Sequence, residues 1–220
     1  DQKEPTLDFK NYENKKKDCL TSINPHTETS WATSSVAKKE EVELAVIAAR
    51  CCLEEGVWSE MLPTDRGKLL FKLADLIELH ASEIGEIETH DSGKLLAETV
   101  TQTRYVADYY RYFAGLADKI QGSTLPIDKP EMHVYTSYEP IGIVAAIVPW
   151  NAQMFLTATK LAPALAAGCT VVIKASEIAP CSLLYFARLI KESGIPDGVV
   201  SIITGDEYNC AIPLTTHPDI

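Results

Sequence analysis

Asn151 has a side chain and a position suited to stabilising a reacting oxygen. It follows a long apolar run, and its amide N–H donates a hydrogen bond without any change of charge. Such a donor stabilises the negative charge that develops on an oxygen in acyl-type chemistry. The alternative role is structural, because Asn is a favoured helix N-cap and the segment 152–167 has a helical pattern. The sequence leaves both roles open.

Lys174 and Glu177 form a second candidate site, after another apolar run. A carboxylate there would accept both hydroxyls of a ribose diol, and a lysine would reach a ribose or a phosphate. Glu177 would also repel a 2′-phosphate, which favours NAD over NADP. The alternative is an ordinary Lys/Glu pair in a solvated loop.

Gly205 follows a third apolar run. A glycine at this place would let the backbone approach a ligand closely, since it carries no side chain. The alternative is that it only forms a turn.

The elements that must position these residues are three strands and two helices. A continuous apolar run predicts a strand buried on both faces at 141–148, with a second buried strand at 170–173 and a third strand at 199–203. Helices are predicted at 152–167 and 180–193. The resulting βαβαβ order is half of a doubly wound α/β sheet, in which ligands bind beyond the carboxyl ends of the strands.

Three amphipathic helices are predicted ahead of this sheet. Apolar residues recur at helical spacing from Glu40 until Gly56, and from about Leu95 to Gly122. A longer stretch between them runs from Pro63 to Gly93. The alternation over 132–138 predicts a strand exposed on one side, and short edge strands are expected within residues 1–39.

Composition excludes several classes of protein. The 220 residues carry 31 acidic and 20 basic side chains, a net charge of −11, and 46% of them are hydrophobic. No basic face is available for nucleic acid, and the longest apolar stretch is about half of a bilayer span. We therefore expect no nucleic acid and no membrane as partner.

The cysteines, histidines and clustered aromatic residues are interpreted as structural. Six cysteines without C-x-x-C spacing suggest small buried hydrophobes in a reducing, cytoplasmic compartment. The five scattered histidines and the aromatic residues within 105–113 are interpreted as surface or packing residues. No metal site is predicted. The motifs G-x-G-x-x-G, G-x-x-x-x-G-K-[ST], H-E-x-x-H and G-x-S-x-G are all absent, so a dinucleotide would be held without the usual glycine-rich turn.

Several segments, in their order, carry a resemblance to a known family. Together they resemble the NAD(P)-dependent aldehyde dehydrogenase superfamily, over nearly the whole chain from about Ile23. The segments are Asn24-Pro25, Arg66-Gly67-Lys68-Leu69-Leu70, Asp91-Ser92-Gly93-Lys94, 139–151, 160–168 and 172–177.

The resemblance implies a role for each candidate residue. Asn151 matches the asparagine that stabilises the oxyanion, and Gly205 matches a glycine near the adenine. Lys174 and Glu177 match residues that hold the adenosine ribose, with Ser176 beside them. The nicotinamide-ribose side of the cofactor site is expected to be lined by Ile147, Val148, Pro149 and Trp150.

The resemblance also implies a reaction. A cysteine thiolate would attack an aldehyde, a hydride would pass to NAD or possibly NADP, and a glutamate-activated water would release the acid. In family members that cysteine and glutamate follow the position of Ile220. We therefore expect this chain to be an N-terminal half that is inactive alone.

The expected organisation has three parts. Residues 1–122 would form the N-terminal segment and helices of the cofactor-binding domain, and residues 141–220 the first half of its Rossmann-like sheet. Residues 123–140 would form the arm that builds a homodimer or homotetramer.

Two departures from the family pattern stand out. Ala152-Gln153-Met154 replaces a frequent aromatic residue and proline, which is expected to reshape the substrate-side wall. Asp206-Glu207 and Ala211 put an acidic side chain, and no second glycine, where the backbone should approach the adenine.

Two rival interpretations come from other classes. One is a truncated paralogue without catalysis that binds a dinucleotide or forms oligomers. The other is an unrelated doubly wound binding module of the flavodoxin type.

Overall fold

A computed structural model describes residues 7–8 and 19–220 of the chain. The first described elements form a small three-stranded sheet in the order β1-β3-β2. Strands β2 and β3 are an antiparallel pair, and β1 lies parallel to β3. The expectation of short strands before residue 39 is therefore confirmed. The strands are β1 (Leu7–Asp8), β2 (Cys19–Asn24) and β3 (Thr29–Ser35).

A layer of helices follows. A short helix at Val57–Glu60 was not predicted, and the helix predicted from about Leu95 to Gly122 ends at Leu116. The stretch predicted as continuous from Pro63 to Gly93 is interrupted at His80 (φ −96°, ψ 15°). No Gly or Pro marks this break; the His80 ring instead lies 3.0 Å from the Tyr185 hydroxyl on a distant helix. Gly93 ends the stretch as predicted, in the left-handed conformation (φ 76°). The helices are α1 (Lys39–Glu54), α2 (Val57–Glu60), α3 (Pro63–Leu79), α4 (Ala81–Ser92) and α5 (Leu96–Leu116).

The segment 123–140 forms a two-stranded ribbon rather than the strand predicted over 132–138. Only β4 (Thr124–Leu125) and β5 (Val134–Tyr135) pair, in antiparallel register. Alternation predicted that Met132, Val134, Thr136 and Tyr138 share a buried face, but Met132 is 55% and Tyr138 73% exposed. The prediction of a buried face was therefore wrong at these two positions.

The second half of the chain is the predicted βαβαβ unit. Its strands are parallel in the order β6-β7-β8. Strand β7 is buried at every position, as predicted, but β6 is an edge strand with Ile147 half exposed and Ile141 outside it. The prediction of a strand buried on both faces was therefore wrong for 141–148. The elements are β6 (Ile143–Ile147), α6 (Gln153–Ala166), β7 (Thr170–Ala175), α7 (Cys181–Ser193), β8 (Val200–Thr204), a π-helical turn (Glu207–Ala211) and α8 (Ile212–Thr215).

Helices cover both faces of this sheet. On one face, Val171 and Ile173 belong to a core shared with α3, α5, α6 and α7; on the other, Val172 packs with α1 and Leu214. Alternate residues of β7 thus face two cores, as a parallel sheet requires. The largest fully buried side chains include Trp58, Tyr110, Phe186, Leu70, Leu73 and Met154.

The cysteine and aromatic interpretations hold only in part. Cys169, Cys181 and Cys210 are buried, but Cys19 and Cys51 are exposed, and all are free thiols. Tyr110 is a core residue, whereas Tyr105 and Tyr112 are more than half exposed. Within the described residues, no helix has the length and apolarity needed to cross a bilayer.

Candidate functional site

The three strand ends lie at one edge of the sheet. In register, Ile147 is paired with Lys174 and Lys174 with Ile203, and the Val148 N–H donates to the Lys174 carbonyl at 3.0 Å. The order β6-β7-β8 corresponds to strands 1, 2 and 3 of a doubly wound sheet, in which a fourth strand adds beside the first. Asn151 therefore follows the strand at which the order would reverse, where such folds bind ligands.

Lys174 is a buried cation held by Glu177. The residue is 5% exposed, and its Nζ donates to a Glu177 oxygen, whose side chain is 42% exposed. The hydrogen bond to Glu177 offsets part of the cost of burying this ammonium group. The alternative of an ordinary solvated pair is wrong for Lys174. Glu177 presents its exposed part to the solvent side of the edge.

Glu177 ionises more readily than an ordinary glutamate. Partial burial raises its pKa, but the hydrogen bond from Lys174 and a backbone N–H outweigh burial, and the net pKa is lowered. The nearby Asp206 charge acts in the opposite direction. Glu177 is therefore an ionised carboxylate at neutral pH and can accept hydrogen bonds from hydroxyl groups.

Asn151 is exposed and does not cap the following helix. The N-cap position of α6 is Ala152, which makes no side-chain cap bond. The alternative structural role considered for Asn151 is therefore wrong. Its amide lies free of the helix at the carboxyl end of β6.

Three of the four residues from Ile147 to Trp150 are accessible to solvent. Ile147 and Trp150 are half exposed and Pro149 is exposed, whereas Val148 is 4% exposed and faces the core. Val148 can therefore offer only its backbone to a ligand. Ser176 is also buried, and its Oγ accepts the Ile178 N–H at 3.3 Å.

Gly205 lies in a tight contact between strand and helix. A Cβ at this position would come within 2.6 Å of the Ala37 carbonyl oxygen and of Cys210 Cβ. Packing therefore already requires glycine here, and its expected role near an adenine stays a prediction. Burial raises the pKa of Cys210 to about 11, so this thiol is protonated at neutral pH.

Sequence reasoning missed two acidic residues beneath the site. Neither α6 nor α7 has a side-chain cap of its own, and both take a carboxylate from α4 instead. Glu88 and Asp91 are three residues apart on α4, so both project from one face. The sequence signal that could have suggested Asp91 was the absence of a capping residue directly before the helix predicted at 180–193.

Asp91 binds the start of α7. One of its carboxylate oxygens accepts the Cys181 N–H at 2.7 Å, and the other accepts the Ser22 hydroxyl. Ser22 in turn accepts the Trp31 Nε1–H at 3.0 Å. Burial raises the pKa of Asp91, although these hydrogen bonds favour its charged form.

Glu88 faces the start of α6. The backbone N–H of Met154 favours its charged form, and Lys94 Nζ lies 3.5 Å from its Oε1. Lys94 also donates to Gln102 at 2.6 Å. Burial is the dominant influence and raises the pKa of Glu88.

These two carboxylates have a consequence for anion binding. Helix N-termini commonly hold the phosphates of a dinucleotide, but here those of α6 and α7 already face protein carboxylates. A pyrophosphate would therefore have to be held elsewhere, in agreement with the absent glycine-rich turn. Across residues 7–8 and 19–220, no group of three or more His, Cys, Asp or Glu side chains is placed to hold a metal ion.

The chain matches known proteins over almost its whole length. Residues 12–220 match the aldehyde dehydrogenase family. A (Z)-2-((N-methylformamido)methylene)-5-hydroxybutyrolactone dehydrogenase of Acinetobacter baylyi is 54% identical over 199 residues, which are 90% of this chain and 41% of that protein. An aldehyde dehydrogenase of Enchytraeus buchholzi is 43% identical, over 91% of this chain and 41% of that protein.

The fold of this chain is also that of a solved aldehyde dehydrogenase. The NAD⁺ complex of an aldehyde dehydrogenase from Bacillus cereus superposes with a TM-score of 0.90 at 40% identity, over 92% of this chain and 41% of that one. The chain thus spans about two fifths of the length of the relatives it matches. Because the sequence match and the fold both extend over nine tenths of its residues, the chain belongs to the aldehyde dehydrogenase family.

Proposed function

We propose that this chain carries the cofactor-binding part of an enzyme that oxidises an aldehyde to a carboxylic acid with NAD. The observation that carries this proposal is the buried Lys174 holding a half-exposed Glu177 carboxylate at the strand end beside the Asn151 loop. A ribose diol is the ligand group that such a carboxylate suits. Related proteins named aldehyde dehydrogenases, one of them solved with NAD⁺, support it.

The described residues are suited to contact the ribose groups of a dinucleotide rather than its phosphates. Glu177 would accept the ribose hydroxyls, with Lys174 fixing its orientation and Ser176 behind it. Trp150 and Ile147 offer exposed apolar surface on the neighbouring strand end for the nicotinamide ribose. Bound NAD supplies a hydride acceptor. The backbone near Gly205, already packed against Ala37, would approach the adenine only from one side.

Asn151 would act on the substrate. Its uncharged amide would donate to the carbonyl oxygen of the aldehyde, and more strongly as negative charge develops there. In the complete protein a cysteine and a glutamate outside this sequence would complete the reaction. This chain alone would bind cofactor without turnover.

A second acidic residue supports a preference for NAD over NADP. Asp206 acts electrostatically on Glu177, and it is itself held by Asn209, whose N–H donates to it at 2.7 Å. Two carboxylates at the ribose would repel a 2′-phosphate, and the buried Lys174 already pairs with Glu177.

Binding measurements on single variants test the proposal. NAD and NADP affinities are measured by tryptophan fluorescence and calorimetry for the unchanged chain and for Glu177→Gln. We expect the variant to bind NAD about tenfold more weakly and to lose much of the preference over NADP. Glu86→Gln, an exposed glutamate on α4, is the matched control and should change neither. Equal NAD binding by the Glu177 variant would contradict the ribose role.

Turnover separates the two functional classes. The whole protein is assayed for NADH production from propanal. Turnover that falls with Asn151→Ala is expected. NAD binding without turnover in the whole protein would favour the non-catalytic paralogue.

We also propose that the ribbon 123–140 forms a homo-oligomer interface. Leu125, Met132, Tyr135 and Tyr138 on it are 46–73% exposed, which is a large apolar surface for a free ribbon. Tyr135→Glu should lower the oligomeric state seen by sedimentation velocity. The free thiols of the described cysteines suit a reducing, cytoplasmic location.

A further inference from the structure

A buried side chain joins the two loops of the candidate site. Gln153 is the first residue of α6 and is completely buried. Its Nε2 donates to the carbonyl of Ala179 at 3.0 Å. Ala179 lies two residues before α7, in the loop that carries Glu177. One hydrogen bond therefore connects the Asn151 loop to the Glu177 loop.

This hydrogen bond lies where the sheet no longer holds the two segments together. The last backbone bond between the strands runs from Val148 to Lys174. Beyond it, among the residues that the structure describes, no backbone hydrogen bond joins 149–152 to 175–180. The α4 carboxylates hold the helices behind the loops, but each contacts only one helix start. Gln153 supplies the direct connection.

Stability alone does not account for a glutamine at this position. Its Oε1 is buried without a hydrogen-bond partner, which costs free energy that an apolar side chain of similar length would avoid. The first position of a helix also needs no backbone donor, and proline is well tolerated there. What the amide adds is the bond to Ala179. The substrate-side departure at 152–154 thus leaves only Ala152 partly exposed, since Gln153 and Met154 are buried.

We propose that Gln153 is a positioning residue that sets the distance between Asn151 and Glu177, and hence between the oxyanion end and the ribose end of the site. The functional part of this inference rests on the proposed function; the coupling of the two loops does not. Without the bond, each loop would move independently. A cofactor held at Glu177 would then be poorly aligned with a substrate held at Asn151.

Hydrogen–deuterium exchange of the whole protein, without any ligand, tests the coupling of the two loops. In Gln153→Met, which keeps the side-chain length but removes the donor, we expect amide exchange in both 149–153 and 176–180 to rise about fivefold. Exchange in β7 and α5 should stay unchanged. Gln121→Met, at an exposed position, is the matched control. If Gln153→Met is poorly folded, Gln153→Ala is measured in its place.

The position of the change decides the outcome. Faster exchange in both loops supports the proposal. Faster exchange in 149–153 alone would mean that Gln153 only stabilises the start of α6. A uniform rise over the whole chain would mean that it only stabilises the fold as a whole. Either result would overturn the proposal. This result is independent of whether the chain binds NAD.

Steady-state kinetics of the whole protein test the consequence for the site. We expect Gln153→Met to lower kcat about tenfold while the KM for NAD changes less than twofold, because Glu177 and Lys174 are intact. An unchanged kcat, with loop exchange raised, would show that the separation of the loops does not matter for the reaction. If the whole protein without any substitution does not bind NAD, the proposed function is contradicted.

Discussion

Two groups of carboxylates around the candidate site have opposite pKa shifts. Glu88 and Asp91, beneath helices α6 and α7, are almost inaccessible and have raised pKa values. Glu177, at the sheet edge, is partly exposed and has a lowered pKa. All three accept hydrogen bonds, so bonding alone does not decide the direction. Depth does, because desolvation exceeds the gain from partners for the two buried groups and not for Glu177.

This difference matches what each group is placed to do. A buried carboxylate that accepts the first N–H of a helix fixes where the helix begins, and it cannot be reached by a ligand. A half-exposed carboxylate held by a buried lysine is fixed in direction yet open to a ligand. Acidic side chains therefore have two roles here: the buried ones support the helices, and the one at the edge of the sheet is placed to bind a ligand.

Removing Asp91 should give the largest effect. Asp91→Ala leaves the Cys181 N–H and the Ser22 hydroxyl buried without their acceptor. We expect the free energy of unfolding to fall by about 2–4 kcal/mol, measured by denaturant titration. Asp91→Asn, which keeps one acceptor oxygen, should lose less. A loss below about 0.5 kcal/mol for Asp91→Ala would show that it does not support α7.

Removing the partner of Glu88 should have a smaller effect that depends on pH. Lys94→Met leaves a buried carboxylate without its cation and should cost about 1–2 kcal/mol at pH 7. At pH 5 the cost should shrink, because the raised pKa lets Glu88 bind a proton. Lys68→Met, whose exposed lysine pairs only with Asp65, is the control. An equal cost at both values of pH would contradict the buried-charge explanation.

The pH dependence of stability gives a finer comparison. The folded pKa of Glu88 lies above its usual 4.5, so the folded chain binds more protons than the unfolded one between those two values. Its contribution to stability is therefore greatest below the usual pKa and is lost as pH rises through the folded pKa. Glu88→Gln should flatten the decline of unfolding free energy with rising pH in that window. A steeper decline would reverse the assigned direction.

Glu177 should show the opposite sign and the smallest effect. Its lowered pKa means that its stabilising pair with Lys174 is present above about pH 4.5 and is lost as pH falls through the folded pKa. Because solvent screens this half-exposed carboxylate, and the glutamine oxygen can still accept the hydrogen bond from the buried Lys174, Glu177→Gln should change stability by less than about 0.5 kcal/mol at pH 7. A carboxyl titration followed by NMR would show the direction directly. A pKa above the usual glutamate range would contradict it.

The sequence by itself determined the elements whose environment is encoded locally. Helical spacing predicted α1, α5, α6 and α7, and the apolar run at β7 predicted a strand buried on both sides. The order βαβαβ then placed Asn151, Lys174 and Glu177 at one edge, since parallel strands share their carboxyl ends. These predictions succeeded because periodicity records which side of an element faces the core.

Only the tertiary structure decided what depends on partners distant in sequence. Periodicity did not predict the break at His80, where the ring meets Tyr185, or the exposure of Met132 and Tyr138 in the 123–140 ribbon. The same holds for Asp91 at the start of α7 and for Gln153 on Ala179, because each bond joins residues at least 26 positions apart. A residue type fixes what a side chain can bond to, but the fold decides which partner comes within reach and how much water is excluded there.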